Sequence, residues 1–286
     1  MTKPALPSAL KHRLRTLRHV VLDMDGTIYS GSTVFETTRP FLLLLGNLGI
    51  GHTFLTNNSS RSAADYLASL RAMGIAVADN QLYTSTMAAI EFLSQDRPAV
   101  RRLFVLGTSS LQQEIAQAGF VLTADNATDE PDAVLVGFDT SLIFSRLCRA
   151  AYWLKQGKQF IATHPDRACP TDEPTVLVDC GSICAALEKA TGRAPDTVLG
   201  KPDPRMLSGI LRRHSLEPKQ LAMVGDRLYT DMAMARDAGA LGVLVLTGEA
   251  SGAEAARHPA APDLVVADLA EFGEQLRAAR AEAISA

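Results

Sequence analysis

The sequence predicts an α/β fold with doubly wound parallel sheets, and three patterns in the chain lead to this prediction. Short β-rich runs alternate with longer helical stretches along almost the whole chain. Several runs, such as 19–22, 133–136 and 221–224, are continuously apolar, as expected for strands that are covered on both faces. Many helical stretches end at a glycine, for example Gly74 or Gly119, which supplies the left-handed residue that closes a helix.

The elements follow in order from this alternation. The apolar and β-branched runs predict strands at 19–22, 52–55, 103–106, 133–136, 159–162, 175–178, 197–199, 221–224, 241–246 and 264–266. The stretches between them predict helices at 61–73, 86–94, 110–118, 142–156, 182–191, 204–214 and 230–238, and an amphipathic closing helix follows from residue 268. The basic, acid-poor first twenty residues lack the apolar stretch of a secretory signal. A short basic helix is the preferred interpretation there, with an organelle transit peptide as the alternative.

Composition limits the classes of protein that fit. A chain of 286 residues is long enough for about two domains and a sizeable core. The net charge of −3 gives no field that would attract nucleic acid or an anionic membrane. The longest apolar run, 41–45, is far too short to cross a bilayer. The four cysteines form no C-x-x-C pair, which indicates reduced thiols in a cytoplasmic protein, with Cys148 on a helix and the others near a loop.

The segment VVLDMDGTIY, residues 20–29, carries the first candidate functional residues. Asp23 and Asp25 follow an apolar strand and precede a Gly-Thr pair. Two carboxylates this close repel each other unless a cation or a shared proton relieves them, and Mg²⁺ is a hard cation that prefers oxygen ligands. An ordinary strand-to-turn Asp-Gly pair is the alternative, because such turns are common.

Two further segments supply groups that could bind an anion. In FLTNNSS, residues 54–60, Thr56 and Asn57 end a strand, and a hydroxyl with free backbone N–H groups suits a phosphate. The alternative is a helix cap at Ser59 or Ser60. Lys201 lies between a glycine and a proline after another apolar strand, where it is either a fixed positive charge for a phosphate or a solvated end residue.

The fourth segment, MVGDRLYTD at residues 223–231, adds Asp226 after a buried strand and Asp231 at the start of the next helix. Read alone, Asp226 is a turn residue and Asp231 a favourable acid in a first helical turn. In open α/β sheets, however, ligands bind beyond the carboxyl ends of the strands. We therefore expect the four segments to meet at one rim of the sheet.

This ordered set of segments resembles the haloacid dehalogenase superfamily of phosphatases. The segment FIATHPDRACPT, residues 160–171, and GSICAALEKATGR before GKPDP are similar to the NagD-like branch, which carries an α/β cap. Two departures fall in that cap: His164 stands where the branch usually has Asn, and 177–180 reads LVDC where a Pro-Gly-Ala-Gly turn is usual. Both departures bear on the choice of substrate rather than on the chemistry.

The resemblance implies a Rossmann-like core of residues 1–78 plus 195–286 and an inserted cap of residues 79–194. It implies that Asp23 attacks phosphorus to form an aspartyl phosphate and that Asp25 exchanges protons with the leaving group and water. It also implies that Mg²⁺ binds Asp23, the Asp25 backbone carbonyl and Asp226, with Asp231 supporting the metal or the lysine. Thr56, Asn57 and Lys201 would hold the phosphoryl oxygens.

The expected substrate is a small phosphorylated metabolite, and a homodimer is a further expectation from the resemblance. Candidate contacts to the leaving group are His164, Asp166, Arg167 and Thr171, although His164 could be structural and Asp166 could cap a turn. Two rival functions stay open: a phosphotransferase on the same fold, and a non-catalytic sensor of a phosphate ligand. The retained pair Asp23 and Asp25 argues against the sensor, since binding alone needs neither a nucleophile nor an acid.

Overall fold

The computed structural model describes residues 6–171, 173–259 and 261–281, which form an α/β protein. Its strands are β1 (His19–Asp23), β2 (Tyr29–Ser30), β3 (Thr33–Val34), β4 (Gly51–Thr56), β5 (Leu82–Thr84), β6 (Arg102–Leu106), β7 (Val121–Leu122), β8 (Ala133–Val136), β9 (Gln159–Ala162), β10 (Ala168–Cys169), β11 (Leu177–Val178), β12 (Thr197–Val198), β13 (Leu221–Gly225), β14 (Leu241–Val245) and β15 (Leu264–Val266). Its helices are α1 (Ser8–Thr16), α2 (Thr38–Asn47), α3 (Ala63–Ala72), α4 (Ser85–Asp96), α5 (Ser109–Gln117), α6 (Phe144–Lys155), α7 (Cys180–Thr191), α8 (Arg205–His214), α9 (Ala233–Ala238), α10 (Gly252–Ala255) and α11 (Leu269–Ala281).

The described chain divides into two compact units, the first within Met1–Leu55, Arg71–Leu82 and Leu207–Ala286, and the second within Thr56–Leu70 and Tyr83–Met206. The larger sheet has the strand order β15-β14-β13-β1-β4-β5, and its pairs from β15 to β4 are parallel. Both β1 and β13 are buried along their whole length. Their register pairs Leu22 with Val224, so the two strands reach the same edge of the sheet together.

The second unit is built on a parallel sheet with the order β12-β9-β8-β6-β7. Alternate side chains of its strands join two separate apolar clusters, one with α4 and α5 and the other with α6 and α7. Because both faces are covered, its strands are continuously apolar. The predicted α/β class with parallel sheets is confirmed, while the predicted core and cap boundaries, 1–78 plus 195–286 and 79–194, stay a prediction.

Several local predictions can be compared with the structure. The short basic helix before the first strand is confirmed as α1. Cys148 lies on α6 as predicted, and Cys180 is the first residue of α7, but the placement of Cys184 near a loop was wrong, because it lies inside that helix. These two residues lie one helical turn apart on α7, and both are buried in the cluster that α7 forms with the sheet. Within residues 6–171, 173–259 and 261–281, no helix has the length and apolar character needed to cross a membrane.

A buried histidine at the start of β1 predicts that the first unit loses stability in mild acid. His19 accepts or donates a hydrogen bond with Thr53 Oγ1 at 2.8 Å, and its ring lies 4.3 Å from that of His214. Burial, followed by the charges of His214 and His52, lowers the pKa of His19 to about 3. The folded protein therefore keeps His19 neutral at a pH where the unfolded chain takes up a proton.

The sign follows from this difference in proton uptake. Below about pH 6.5 the unfolded state binds the extra proton, so the free energy of unfolding falls as the pH falls, by up to about 1.4 kcal/mol per pH unit from this one group. We expect His19→Gln to reduce the slope of stability against pH between 6.5 and 5 in urea unfolding. The exposed His12→Gln serves as the control, and an unchanged slope in His19→Gln would contradict the prediction.

Candidate functional site

Three buried carboxylates meet at the carboxyl edge of the larger sheet. Asp23 is the last residue of β1, Asp226 directly follows β13, and Asp231 lies in the π-helical turn Leu228–Met232. One carboxylate oxygen from each of the three lies within 4.8 Å of the others. Side chains of like charge this close, and removed from water, are stable as ions only with a compensating cation. Because all the ligand atoms are carboxylate oxygens, the group fits a hard divalent cation such as Mg²⁺.

The loop after β14 holds the Asp226 carboxylate in one orientation. The backbone N–H of Glu249 donates to Asp226 Oδ2 at 2.8 Å, and that of Ala250 donates to the Asp226 carbonyl at 3.1 Å. A Cβ atom built on Gly248, or on Gly26 opposite it, would overlap the Asp226 carboxylate. The two glycines therefore form a cradle in which this carboxylate fits only because side chains are absent.

Arg227 brings a permanent positive charge to the same three carboxylates. Its backbone N–H donates to Asp231 Oδ2 at 3.2 Å, and its Nε lies 3.0 Å from Glu249 Oε2. Burial by itself lowers the pKa of Arg227, but the charge of Asp23, together with the nearby acidic groups, outweighs it and raises the pKa. We did not single out this residue in the sequence, although the cluster of acids around it is the signal that could have identified it.

Asp25 has the properties of a proton donor. It is half-buried beside a tight turn, in which the Gly26 N–H donates to the Tyr29 carbonyl at 2.8 Å. Burial, followed by the charge of Asp23, raises the pKa of Asp25 above the usual range of a carboxyl group. A carboxyl group that keeps its proton nearer to neutral pH is better suited to general-acid catalysis.

In the second unit, the Asn57 carboxamide bonds both sides of the Lys201 backbone. Asn57 Oδ1 accepts the Lys201 N–H at 2.7 Å, and Asn57 Nδ2 donates to the Lys201 carbonyl at 3.1 Å. The same Nδ2 donates to Asp166 Oδ2 at 3.1 Å. Gly200 has a φ of +73°, and a Cβ there would lie 2.6 Å from His164 Cβ. Lys201, which is only 4% exposed, is thus fixed by its backbone.

In the segment after Thr56, the structure differs from the helix cap that the sequence left open as an alternative. Thr56 ends β4, and its Oγ1 accepts the Asn58 N–H at 3.2 Å. A helix cap at Ser59 or Ser60 was wrong, because α3 begins only at Ala63. Ser62 takes that position: its Oγ accepts the Asp65 N–H at 3.1 Å, while Asp65 Oδ2 accepts the Ser62 N–H at 2.9 Å.

Ser59 has a different role, since its buried hydroxyl joins two other segments of the second unit. Its Oγ lies 3.1 Å from Thr163 Oγ1 and accepts the Phe138 N–H at 3.0 Å. The segments that directly follow β8 and β9 are thereby linked to the segment that follows β4. A hydroxyl with this many partners explains why Ser59 does not cap the helix.

The four predicted contacts in the segment 164–171 have different surroundings. His164 has no exposed surface; its Nδ1 lies 2.9 Å from Thr163 Oγ1 and its Nε2 2.8 Å from Asp179 Oδ1. Burial disfavours the charged ring, but the negative charge of Cys180 as a thiolate and the hydrogen-bonded Asp179 carboxylate outweigh it and raise the pKa of His164 to about 9. These contacts favour the structural alternative for His164.

The other three predicted contacts are less buried. Arg167 accepts hydrogen bonds at its carbonyl from the Asp179 N–H and from Ser182 Oγ. Thr171 Oγ1 accepts the Glu173 N–H at 3.2 Å. Asp166 is the member of this set whose side chain meets another predicted site residue, Asn57. Substrate contact by these residues stays a prediction.

The unusual LVDC stretch consists of strand β11, Asp179 and the first residue of α7. Leu177–Val178 is strand β11, which pairs antiparallel with β10. Asp179 precedes α7, and its Oδ1 accepts the Cys180 N–H at 2.5 Å as well as bonding His164. The two departures, His164 and the LVDC stretch, therefore fit each other as an ion pair between neighbouring segments.

The structure thus brings the predicted residues together in two groups, one in each unit. The first consists of Asp23, Asp226 and Asp231, with Asp25 at the turn after β1. The second consists of Asn57, Asp166 and Lys201. That both groups face one phosphoryl group stays a prediction.

Comparison with known proteins gives consistent matches over most of the chain. Residues 20–121 match a family model described as haloacid dehalogenase-like hydrolase, and residues 198–272 match one described as HAD-hydrolase-like. The chain is 32% identical to the ribonucleotide monophosphatase NagD of Escherichia coli K12 over 257 residues, covering 90% of this chain and 98% of that protein.

Solved structures match at similar coverage. A 4-nitrophenylphosphatase from Thermotoga maritima superposes with a TM-score of 0.86 at 39% identity, over 92% of this chain and 98% of that one. A glycerol phosphate phosphatase from Mycobacterium tuberculosis in complex with magnesium gives a TM-score of 0.84 at 29% identity, over 92% of this chain and 79% of that one.

Proposed function

The chain belongs to the haloacid dehalogenase-like hydrolase family, and we propose that it is a magnesium-dependent phosphatase of small phosphorylated metabolites. The observation that carries the proposal is the group of three buried carboxylates, Asp23, Asp226 and Asp231, whose oxygens lie within 4.8 Å of one another. The similar proteins named above are all phosphatases, which supports hydrolysis of a phosphate monoester. A cytoplasmic location and a homodimer remain predictions.

The donor set fits Mg²⁺. The carboxylates of Asp23 and Asp226 and the backbone carbonyl of Asp25 would hold the ion, and Asp231 would support it through its place beside Asp226. When bound, the ion offsets the negative charge of the carboxylates and of an incoming phosphoryl group. A magnesium complex of the mycobacterial relative supports this choice of metal.

The chain's own residues would carry out a two-step hydrolysis. The Asp23 carboxylate attacks phosphorus, and the bond from phosphorus to the leaving-group oxygen breaks, which leaves an aspartyl phosphate. Asp25 gives its proton to the leaving oxygen and then takes one from the water that attacks the phosphorus. This second attack breaks the bond between phosphorus and the Asp23 oxygen, which releases inorganic phosphate and restores the carboxylate. The raised pKa of Asp25 supports the first of these transfers. The Lys201 ammonium, the Thr56 hydroxyl and the Asn57 backbone N–H would hold the phosphoryl oxygens.

Release of phosphate from 4-nitrophenyl phosphate tests the proposal. We expect release with magnesium and none after EDTA, with activity restored when magnesium is added back. A panel of sugar phosphates, ribonucleoside monophosphates and glycerol phosphate then identifies the preferred substrate class. Transfer to an added alcohol in preference to water would show a phosphotransferase. A folded protein that binds phosphate with magnesium but hydrolyses no ester would show a sensor.

The acid role of Asp25 leads to a prediction about leaving groups. Asp25→Ala should slow alkyl phosphates, whose leaving oxygen needs a proton, by roughly 10²-fold or more beyond its effect on 4-nitrophenyl phosphate. Turnover is measured for a series of esters whose leaving groups differ in pKa. An equal loss across the series would contradict the acid role.

A further inference from the structure

We infer that Asp166 is a positioning residue that fixes Lys201 through the carboxamide of Asn57. The inference rests on the proposed phosphatase function, in which Lys201 binds the phosphoryl group. It starts from the hydrogen bonds of one side chain: Asn57 Nδ2 donates to both Asp166 Oδ2 and the Lys201 carbonyl, each at 3.1 Å, and Asn57 Oδ1 accepts the Lys201 N–H at 2.7 Å. All three residues belong to the second unit.

The Asp166 carboxylate reinforces the orientation that the Lys201 N–H and carbonyl require of the Asn57 carboxamide. A carboxylate can only accept, so it requires Nδ2 on its side, and this leaves Oδ1 for the Lys201 N–H. The reverse orientation would set Asn57 Oδ1 against two acceptors. A hydrogen bond to an ionised acceptor is also stronger than one between neutral groups. Asp166 thus strengthens the hold on the amide in the orientation that binds both sides of the Lys201 backbone.

Asp166 itself is held firmly by the start of α7. Its carbonyl accepts the Gly181 N–H at 2.7 Å, and the next carbonyl, that of Arg167, accepts the Asp179 N–H at 3.0 Å. A Cβ on Gly181 would overlap the Pro165 carbonyl oxygen, so this approach depends on a glycine. The carboxylate is therefore presented from a fixed backbone, which suits a group that positions its neighbour.

The Lys201 backbone is tightly packed, so the orientation of the Asn57 carboxamide affects the position of the Lys201 side chain. A Cβ on Gly200 would lie 2.8 Å from Asn57 Oδ1 and 2.6 Å from His164 Cβ, and Lys201 is buried. The first atoms of the lysine side chain start from a backbone with little room to shift. Because a misplacement of about 1 Å in a binding group can cost 10²-fold in rate, loss of the amide orientation should weaken the hold on the phosphoryl group.

The affinity for inorganic phosphate separates positioning of Lys201 from contact with a leaving group, because phosphate has no leaving group. With magnesium supplied, we expect Asp166→Ala to weaken phosphate binding roughly tenfold, the scale of one charged hydrogen bond, in calorimetry and in competition against 4-nitrophenyl phosphate. The value of kcat/KM should fall by a similar factor for every ester. Asp166→Asn keeps an acceptor oxygen and should restore most of the affinity.

Unchanged phosphate affinity in Asp166→Ala, together with an altered ranking of esters, would overturn the inference in favour of a leaving-group contact. Asp125→Ala, which removes an exposed carboxylate of the same unit, is the matched control. A wild-type protein that binds phosphate but hydrolyses no ester would overturn the proposed function alone, and the phosphate affinities of the variants would still decide the role of Asp166.

A double-variant cycle supplies a second, independent measurement. Asn57→Ala removes the carboxamide and all three of its bonds, so it should weaken phosphate binding by at least the tenfold expected for Asp166→Ala. If Asp166 acts through Asn57, adding Asp166→Ala to Asn57→Ala should cost less than about twofold more. Two losses that simply multiply would overturn the inference.

Discussion

Asp23→Asn is expected to abolish turnover, by ~10⁴-fold or more, while the chain stays folded. The substitution removes the proposed nucleophile but keeps the size and shape of a buried side chain at the end of β1. It also removes one of three negative charges that lie within 4.8 Å of one another. Without metal, the total repulsion in the group is therefore smaller, which offsets the lost attraction between Asp23 and the Arg227 guanidinium, so the variant should keep the stability of the natural chain.

Thermal unfolding with EDTA and with magnesium tests both parts of this prediction. The natural chain should gain stability with magnesium, because a cation that binds only the folded state stabilises it by mass action. Asp23→Asn should lose most of this gain and keep or raise the midpoint in EDTA. The exposed Asp237→Asn is the control and should behave like the natural chain. Phosphate release near the natural rate by Asp23→Asn would refute the covalent role.

The acids at the ends of the strands could be predicted from the sequence because they depend on a general property of parallel sheets. Asp23 and Asp226 each follow a continuously apolar strand, and parallel neighbours end at the same edge. The register of β1 against β13 then determines that the two carboxylates meet. This reasoning does not require knowledge of any distant hydrogen-bond partner. The alternation of strands and helices was therefore sufficient to predict that Asp23 and Asp226 lie close together.

Other features depend on partners that are distant in the chain. The apolar run 41–45 was recognised only as too short for a membrane span, whereas it forms α2, with Phe41 and Leu45 buried. Ser59 looked like a helix cap, but its hydroxyl is used by Thr163 and by the Phe138 N–H. The hydrogen bond from Asn57 to Asp166 joins residues 109 positions apart, and no local sequence pattern predicts it.

The loop after β14 could have been found by applying the strand-end rule once more. The residues that follow this strand include Thr247, whose Oγ1 donates to the Gly26 carbonyl at 2.6 Å, and Glu249, whose N–H holds Asp226. The sequence there reads Leu-Thr-Gly-Glu, which contains no cluster of acids to draw attention. What the loop contributes to Asp226 is the backbone N–H of Glu249 and the absent side chain of Gly248, and neither can be recognised in the sequence as a catalytic residue type.

Gly248→Ala should therefore cost roughly 10²-fold or more in magnesium-dependent activity, although it changes no charge. Its Cβ would overlap the Asp226 carboxylate, so either the carboxylate turns away from Asp23 and Asp231 or the loop shifts and the Glu249 N–H bond is lost. Either movement spoils an oxygen ligand of the proposed magnesium site. The backbone of Gly248 does not have a positive φ, so the effect is steric and separate from backbone strain.

The measurement is the magnesium concentration that gives half-maximal turnover, together with the stabilisation by magnesium in thermal unfolding. Gly248→Ala should raise the first and reduce the second, while circular dichroism shows an unchanged fold. Gly252→Ala, four residues after Gly248, is the matched control, since its Cβ would meet only Leu246 Cδ1 at an ordinary 3.8 Å. If both variants bound magnesium as the natural chain does, the prediction would be contradicted. Magnesium binding would then not depend on the orientation that this loop gives to the Asp226 carboxylate.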